Sequence, residues 1–230
     1  MIQLHDVTKN YTRRGDTVTA FQCERLLIER GEYVAILGPS GSGKTTLLSI
    51  LGGMLAPTTG QVWLDGASLY DHDVARRAAL RRELMGFVFQ TFNLVPYLTA
   101  LENVQVPLCL AGRPAGEQRE RAAALLERFG LAARLNHKPT ELSVGQQQRV
   151  ALARTLVNDP PIILADEPTG NLDSDSRELV LGALQECHSD GRTIVMVTHD
   201  PVAAEQAQRA YHLADGRLAE PMPVRIAQFA

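Results

Sequence analysis

The fold is most clearly indicated by residues 34–45, Val34-Ala35-Ile36-Leu37-Gly38-Pro39-Ser40-Gly41-Ser42-Gly43-Lys44-Thr45. This stretch opens with a continuous apolar run, which is typical of a buried strand, and continues with a perfect match to the phosphate-binding pattern G-x-x-x-x-G-K-[ST]. A helix is predicted to follow, over about residues 44–54. A strand, a glycine-rich turn and a helix in this order predict a nucleotide-binding α/β fold.

The glycine-rich turn has a definite chemistry. Small residues let successive backbone N–H groups face one centre, and the start of the helix adds partial positive charge there. Lys44 would neutralise the β- and γ-phosphates, and Thr45 would offer a hydroxyl to Mg²⁺. A chance glycine turn is the alternative, but the flanking strand and helix favour a phosphate site. The predicted ATP-binding segment is Gly38, Pro39, Ser40, Gly41, Ser42, Gly43, Lys44, Thr45 and Thr46.

A second apolar run, Ile162-Ile163-Leu164-Ala165, ends in the two carboxylates Asp166 and Glu167. Ligands of open α/β sheets bind at the carboxyl ends of the strands, so Asp166 would reach Mg²⁺ and Glu167 the attacking water. An acidic pair alone is more often a turn or a helix cap. A third run, residues 193–197, brings His199 to the same edge, where its imidazole can donate to the γ-phosphate. Together with the phosphate loop, these residues predict a nucleotide hydrolase.

The composition limits the possible functions. The chain has 230 residues, which fit one domain, and its net charge of -3 gives no general attraction to nucleic acid. The apolar runs are far shorter than the roughly 20 residues of a membrane helix, and residues 1–6 lack the features of a secretory signal. We therefore expect a cytoplasmic location. Cys23, Cys109 and Cys187 lie far apart in the sequence, which predicts reduced thiols.

Short β-rich runs alternate with helical stretches, which predicts a largely parallel sheet. At the start, Ile2, Leu4 and Val7 are spaced by polar residues, and we interpret them as an edge strand. Between residues 91 and 160 the β-branched runs become sparse. Residues 115–129 are instead rich in helix formers with one apolar face, so this region is predicted to be a helical insert in the α/β core.

The segment Leu142-Ser143-Val144-Gly145-Gln146-Gln147-Gln148-Arg149 lies just before the acidic strand and resembles the signature motif of ABC ATPases. With the phosphate loop and the acidic pair, it identifies the chain as similar to that family over nearly its whole length. The resemblance implies an α/β fold: a P-loop NTPase core of the RecA-like type, with an N-terminal antiparallel β subdomain and an inserted helical subdomain. It also implies one ABC ATPase domain over residues 1–230, with a core of about 1–90 and 160–230 and a helical subdomain of about 91–159.

The resemblance implies further roles within one subunit. Tyr11 would stack on adenine, and Gln90 would end the strand that joins the core to the helical insert. Glu167 would be the general base, and His199 the switch histidine that contacts the γ-phosphate. Without the family pattern, Tyr11, Gln90 and His199 would each be interpreted as ordinary packing or surface residues. The implied Mg²⁺ ligands are Thr45, Gln90 and Asp166.

The resemblance also implies a head-to-tail homodimer that holds two ATP molecules between its subunits. Ser143, Gly145 and Gln146 would contact the ATP bound by the opposite subunit, and the loop Asn171-Leu172-Asp173 would meet that subunit. The chain departs from the common motif at Val144, where glycine is usual. Because β-branching restricts the backbone, this valine bears on how tightly the dimer closes.

Residues 86–104 are similar to two ABC subgroups, the polar amino-acid importers and the lipoprotein-releasing and macrolide-exporting group. The sequence Ala165-Asp166-Glu167-Pro168-Thr169-Gly170-Asn171-Leu172-Asp173 favours the second, because importers usually have Ser-Ala-Leu-Asp after the threonine. We therefore expect an ATPase subunit, peripheral on the inner face of the cell membrane, that drives a separate permease to export or release a lipoprotein, peptide or drug.

Three alternatives remain, one another transporter subgroup and two from other classes. An amino-acid importer would use the same ATPase, and so would a cell-division or envelope regulator that transports nothing. A DNA-repair or ribosome-acting ABC ATPase would carry long coiled coils or two ATPase halves, and the sequence has neither.

The apolar run after Gln90 includes Phe92, Leu94, Val95 and Tyr97. We predict that at least two of them pack the helical insert onto the core. The others would line a groove for a permease helix, with Tyr97 as the main candidate.

Overall fold

The computed structural model describes residues 2–13, 15–170, 172–219 and 222–223. Within these residues the strands are β1 (Ile2–Arg13), β2 (Asp16–Ile28), β3 (Tyr33–Leu37), β4 (Thr59–Leu64), β5 (Ala67–Ser68), β6 (Met85–Phe89), β7 (Ile162–Asp166), β8 (Thr193–Thr198), β9 (Arg209–Ala214), β10 (Arg217–Leu218) and β11 (Met222–Pro223). The helices are α1 (Lys44–Leu51), α2 (Val74–Leu84), α3 (Ala100–Leu110), α4 (Ala115–Arg128), α5 (Val144–Leu156), α6 (Ser174–Ser189) and α7 (Pro201–Ala204).

The described strands form one mixed sheet in the order β5-β4-β1-β2-β10-β9-β3-β8-β7-β6, and β11 pairs with β9. The strands from β9 to β6 in this order run parallel, and those from β5 to β2 run antiparallel. The short strand β10 joins the two halves. The predicted α/β architecture with an antiparallel N-terminal part is thus confirmed. The expectation of a largely parallel sheet was wrong, because the antiparallel strands β1, β2, β4 and β5 belong to the same sheet.

The prediction that the first strand lies at an edge was wrong. Strand β1 pairs on one side with β2, where Leu4 faces Leu26, and on the other with β4, where Leu4 faces Val62. Alternation of apolar and polar residues shows only that one face of a strand is buried. An interior strand of an antiparallel sheet shares that pattern with an edge strand.

Alternate residues of the parallel strands contribute to hydrophobic clusters on opposite faces of the sheet. From β3, Val34 and Ile36 join the cluster that includes α1 and the antiparallel strands. Tyr33 and Ala35 join the cluster on α6. Helix α1 ends at Leu51, earlier than predicted, because two glycines follow it and glycine is a poor helix former.

Helices α3, α4 and α5 form a third cluster, to which α4 contributes Ala122 and Leu126. This agrees with the apolar face predicted over residues 115–129. Helix α5 also packs on β6 and α6, so it contacts both the α/β core and the helical region. The division into a core of about 1–90 and 160–230 and a helical subdomain of about 91–159 stays a prediction.

The loop of residues 90–99 connects β6 to α3. Asn103 of α3 is fully buried beneath it, accepts a hydrogen bond from Val95 N at 2.8 Å, and points its amide at the carbonyls of Val95, Leu98 and Thr99. Phe92 and Leu94 are half-buried, and Leu94 packs on the third cluster.

The other two apolar residues of this loop are exposed, Val95 at 38% and Tyr97 at 83%. None of the described helices is both long enough and apolar enough to cross a lipid bilayer.

Candidate nucleotide site

The phosphate loop lies between β3 and α1, close to β2. At Gly43 the backbone has φ 103°, and a Cβ atom there would lie 2.2 Å from the Ala20 carbonyl oxygen. Glycine is therefore required, both for the left-handed conformation and for the contact with β2. Pro39, Ser40, Gly41 and Thr45 are exposed at the mouth of the loop, so a ligand can reach it.

Lys44 is buried, with 7% of its surface exposed, at the base of this loop. Its ammonium group donates to the carbonyl oxygens of Gly38 at 2.7 Å and Pro39 at 2.9 Å. It also lies 3.5 Å from Oε1 of Glu167. The charge is thus held at a fixed point, which suits the binding of an anion.

Thr45 and Asp166 come together at the carboxyl end of β7. The Thr45 hydroxyl donates to Oδ2 of Asp166 at 3.2 Å. Burial raises the pKa of the Asp166 carboxyl, against the hydrogen bond from Thr45, and the charge of Glu167 adds to the rise. A hydroxyl and a carboxylate facing each other beside a phosphate loop fit Mg²⁺, which takes few protein oxygens and completes its shell with phosphate and water.

Glu167 follows β7 and is held from several sides. Its backbone has φ 45°, a left-handed conformation that costs a residue other than glycine about 1–3 kcal/mol. Its Oε2 accepts from the backbone N of His199 at 3.1 Å and lies 2.9 Å from Nδ1 of the same residue. The fold thus fixes this carboxylate against His199 and Lys44 at some cost, as is common where a side chain acts chemically.

Gln90 is brought beside Glu167 by the register of the sheet. Strands β6 and β7 run parallel with Phe89 opposite Asp166, so the next residue of each strand leaves the sheet at the same place. Gln90, Glu167 and His199 line one cavity of about 480 Å³. The structure therefore brings together the three residues that the sequence predicted as catalytic.

Tyr11 lies on β1 with 47% of its surface exposed, opposite Val18 of β2, which is 63% exposed. The Lys9 ammonium lies 5.4 Å from the centre of the Tyr11 ring. Val18 is two residues from Ala20, which contacts the phosphate loop, so this apolar pair flanks the loop. Sequence reasoning missed Val18, because the cross-strand partner of Tyr11 depends on the strand register.

The signature motif forms the start of α5. Ser143 Oγ accepts from Gln146 N at 3.3 Å, and Gln146 Oε1 accepts from Ser143 N at 3.0 Å, a capping box. Both side chains therefore bond within the first turn of the helix. Val144 is 50% exposed there and fits the helical backbone.

Gly145 has a structural role within the chain. A Cβ atom at this position would lie 2.2 Å from Oγ of Ser176 on α6. The close packing of α5 on α6 therefore favours glycine independently of any role toward another subunit. No local sequence pattern indicates this contact, because Ser176 lies in a different helix.

Of the predicted dimer loop, Asn171 lies outside the described residues. Leu172 packs on the cluster beside α6, and Asp173 caps that helix by accepting from Ser176 N at 2.8 Å. This hydrogen bond lowers the pKa of the Asp173 carboxyl. Both side chains thus have local structural roles, and their contact with a second subunit stays a prediction.

Comparison with known proteins agrees with these features. The family model described as ABC transporter matches residues 24–170. A macrolide export ATP-binding/permease protein of Hyphomonas neptunium is 49% identical over 218 residues, which are 95% of this chain and 34% of that protein. The chain spans about a third of the length of such exporters. The ABC transporter ATP-binding protein MJ0796 of Methanocaldococcus jannaschii is 48% identical over 223 residues, 95% of each chain.

A solved structure has the same fold. The dimeric post-hydrolysis state of the MJ0796 cassette bound to ADP and Pi superposes with a TM-score of 0.92 at 45% identity, covering 98% of this chain and 99% of that one. The predicted P-loop NTPase core is therefore confirmed. Because the family model spans more than half of the chain and MJ0796, nearly equal in length, shares about half of its residues, the chain belongs to the ABC transporter family, as one of its ATP-binding domains.

Proposed function

We propose that this chain hydrolyses ATP to ADP and phosphate at the carboxyl edge of β3, β7 and β8. The observation that carries the proposal is the convergence there of a fixed ammonium group, a hydroxyl–carboxylate pair and a second carboxylate. These are the groups that phosphoryl transfer requires: charge for the phosphates, oxygens for Mg²⁺, and an acceptor for the proton of water. The post-hydrolysis ADP complex of MJ0796 supports the assignment.

Each residue has a distinct part in the proposed reaction. Lys44 binds the phosphate oxygens, and the loop amides and the start of α1 hold them in place. Glu167 accepts the proton of the attacking water, and His199 keeps that carboxylate in position through its backbone N and Nδ1. Thr45 and Asp166, with Gln90, would hold Mg²⁺, which neutralises phosphate charge when bound. Tyr11 and Val18 offer a surface for the base.

The direct test is release of phosphate from ATP by the purified chain. We expect turnover with ATP and Mg²⁺, and loss of at least about 90% of it when EDTA removes the metal, because the phosphate charge is then not neutralised. Restoring Mg²⁺ in excess of the chelator is the control. Turnover that persists in EDTA would contradict the assigned roles of Thr45 and Asp166.

We further propose a head-to-tail homodimer closed by two ATP molecules. The hydrogen bonds of Ser143 and Gln146 stay within α5, which leaves the helix start available to the nucleotide of another subunit. MJ0796 is dimeric in two solved structures, which supports a dimer here. Shifting an open–closed equilibrium from 1:99 to 99:1 requires about 5.5 kcal/mol of differential binding, so each nucleotide needs to supply roughly 3 kcal/mol.

The partner we propose is a membrane permease, with the chain bound at the cytoplasmic face. The macrolide exporters that match the chain are named as combined ATP-binding and permease proteins. This favours export or release of a lipoprotein, peptide or drug over amino-acid import. A regulator that pulls on an envelope enzyme without transport remains the second candidate, and the gene encoding the partner distinguishes the two.

A groove of about 410 Å³ between β6, α2, α3 and α5 is the proposed docking site for the permease. Its walls include Phe89 and Leu110, and Arg81 and Arg82 of α2 also line it. Leu110 is 64% exposed and lines the groove together with Phe89, and an exposed apolar surface that is contiguous is typical of a partner site. Tyr97, the candidate from the sequence, does not line this groove.

Leu110→Ala tests the docking site. The side chain is exposed, so we expect the free energy of unfolding to change by less than about 0.5 kcal/mol and the ATPase of the isolated chain to stay the same. Stimulation by the reconstituted permease should fall about tenfold, the size of effect a lost anchor residue produces. Tyr97→Ala is the matched comparison. If Tyr97→Ala abolishes stimulation and Leu110→Ala does not, the permease docks on the Tyr97 loop instead.

A further inference from the structure

The turn directly after Gln90 has an unfavourable backbone. Phe92 and Asn93 are consecutive residues with φ 57° and 50°, both in the left-handed region. Bulky residues such as phenylalanine seldom adopt this conformation, and it persists where the surroundings enforce it. We therefore expect a contact from outside the turn to stabilise it, next to Gln90.

Arg154 of α5 provides the contact. Its Nη1 donates to the Asn93 carbonyl at 2.6 Å, and its Nη2 donates to the Phe92 carbonyl at 2.5 Å. The planar, rigid guanidinium thus donates one hydrogen bond to each of the two strained residues. Burial lowers the pKa of this guanidinium, and none of the ion pairs found among the described residues involves Arg154. Its hydrogen-bonding capacity is directed at the turn.

The next residue of α5 holds the other side of Gln90. The Thr155 hydroxyl donates to the Phe87 carbonyl of β6 at 2.6 Å. Two successive residues of one helix therefore fix the strand before Gln90 and the turn after it. The same helix is 13 residues long and begins directly after Ser143 of the signature motif.

We propose that Arg154 is a positioning residue that sets Gln90 beside Glu167 and ties it to the signature motif through α5. The helix is a rigid rod of about 20 Å at roughly 1.5 Å per residue, so a displacement of Ser143 at one end is transmitted to the Gln90 turn at the other. In the proposed head-to-tail dimer, Ser143 would face the ATP of the opposite subunit. Arg154 would then couple the two ATP sites. The proposal rests on the proposed ATPase function.

Hydrogen exchange of the nucleotide-free full chain tests the clamp without using activity. Arg154→Lys keeps the charge but replaces the planar two-nitrogen fork with a single nitrogen on a flexible stem, so amides of residues 92–95 should exchange at least about tenfold faster at an unchanged melting temperature. Arg209→Lys is the control, because Arg209 also donates to a backbone carbonyl, that of Leu27 at 2.7 Å, away from this turn. If the lysine variant does not fold, Arg154→Gln replaces it. Unchanged exchange in these amides overturns the clamp.

A double-mutant cycle with Gln90→Ala tests whether Arg154 acts through Gln90. We expect Arg154→Lys alone to lower kcat about tenfold with KM for ATP within about twofold, and to cause no further loss in the Gln90→Ala background. If Arg154 had a purely structural role, Arg154→Lys would lower kcat by the same factor in the wild type and in Gln90→Ala. That result overturns the proposal. If Arg154→Lys exchanges faster but the wild type hydrolyses no ATP, the clamp is supported and the proposed ATPase function is rejected.

Discussion

Replacement of Glu167 by glutamine is expected to lower ATP turnover by roughly 10² to 10⁴ while leaving ATP binding intact. Glutamine has nearly the same size and can keep a hydrogen bond with the His199 backbone N, now 3.1 Å from Glu167 Oε2. It cannot accept the proton of water. It also removes the attraction to Lys44, whose Nζ lies 3.5 Å from Oε1. Phosphate release and nucleotide affinity, measured on the same preparation, separate the two effects.

The same variant should trap the closed dimer. When ATP is bound but not hydrolysed, the contacts that join the subunits persist, so Glu167→Gln with Mg-ATP should elute as a dimer in size exclusion with light scattering. Glu205→Gln, an exposed glutamate just after α7, is the control and should behave as the wild type. Wild-type turnover in Glu167→Gln would remove Glu167 from the proposed mechanism. A variant that binds ATP and stays monomeric would argue against dimer closure by ATP alone.

Replacement of Lys44 by alanine is expected to weaken ATP binding by about a hundredfold or more. Hydrogen bonds to charged groups contribute roughly 1.5–3 kcal/mol each, and a phosphate tail that loses its lysine loses at least one. Titration calorimetry measures the loss directly. The melting temperature should change little, because the Gly38 and Pro39 carbonyls that Lys44 now bonds lie in a partly exposed loop that water can reach.

The matched control is Lys138→Ala, since Lys138 is an exposed lysine outside the nucleotide site. It should leave affinity unchanged. Equal affinity in Lys44→Ala and the wild type would contradict the assignment of the phosphate loop, whereas a large drop in melting temperature would show that Lys44 supports the fold.

Most of the site could be predicted because its parts are contiguous in sequence. The phosphate loop and the acidic pair each carry their chemistry in a few adjacent residues, and a buried parallel strand delivers whatever follows it to one edge of the sheet. The register of β6, β7 and β8 then explains why Gln90, Glu167 and His199 meet. Their separate roles in catalysis stay predictions until the variants are measured.

Several features were decided only by tertiary structure. Whether β1 lies at an edge depends on β4, since Leu4 pairs with both Leu26 and Val62. The preference for glycine at position 145 depends on Ser176 of another helix. The groove that we propose for the permease is lined by Leu110 and not by Tyr97, because Asn103 holds the intervening loop so that Tyr97 faces solvent.

The sequence alone was enough to identify the family, to predict the ATP chemistry and to name the residues that meet at the sheet edge, because local motifs and the strand–loop–helix order specify them. Tertiary structure alone decided what holds those residues in place. Arg154 grips the turn at Phe92 and Asn93 from a helix some sixty residues further along the chain. Such a contact leaves no periodic or local pattern, since it depends on how α5 packs against β6 and not on the residues beside either partner.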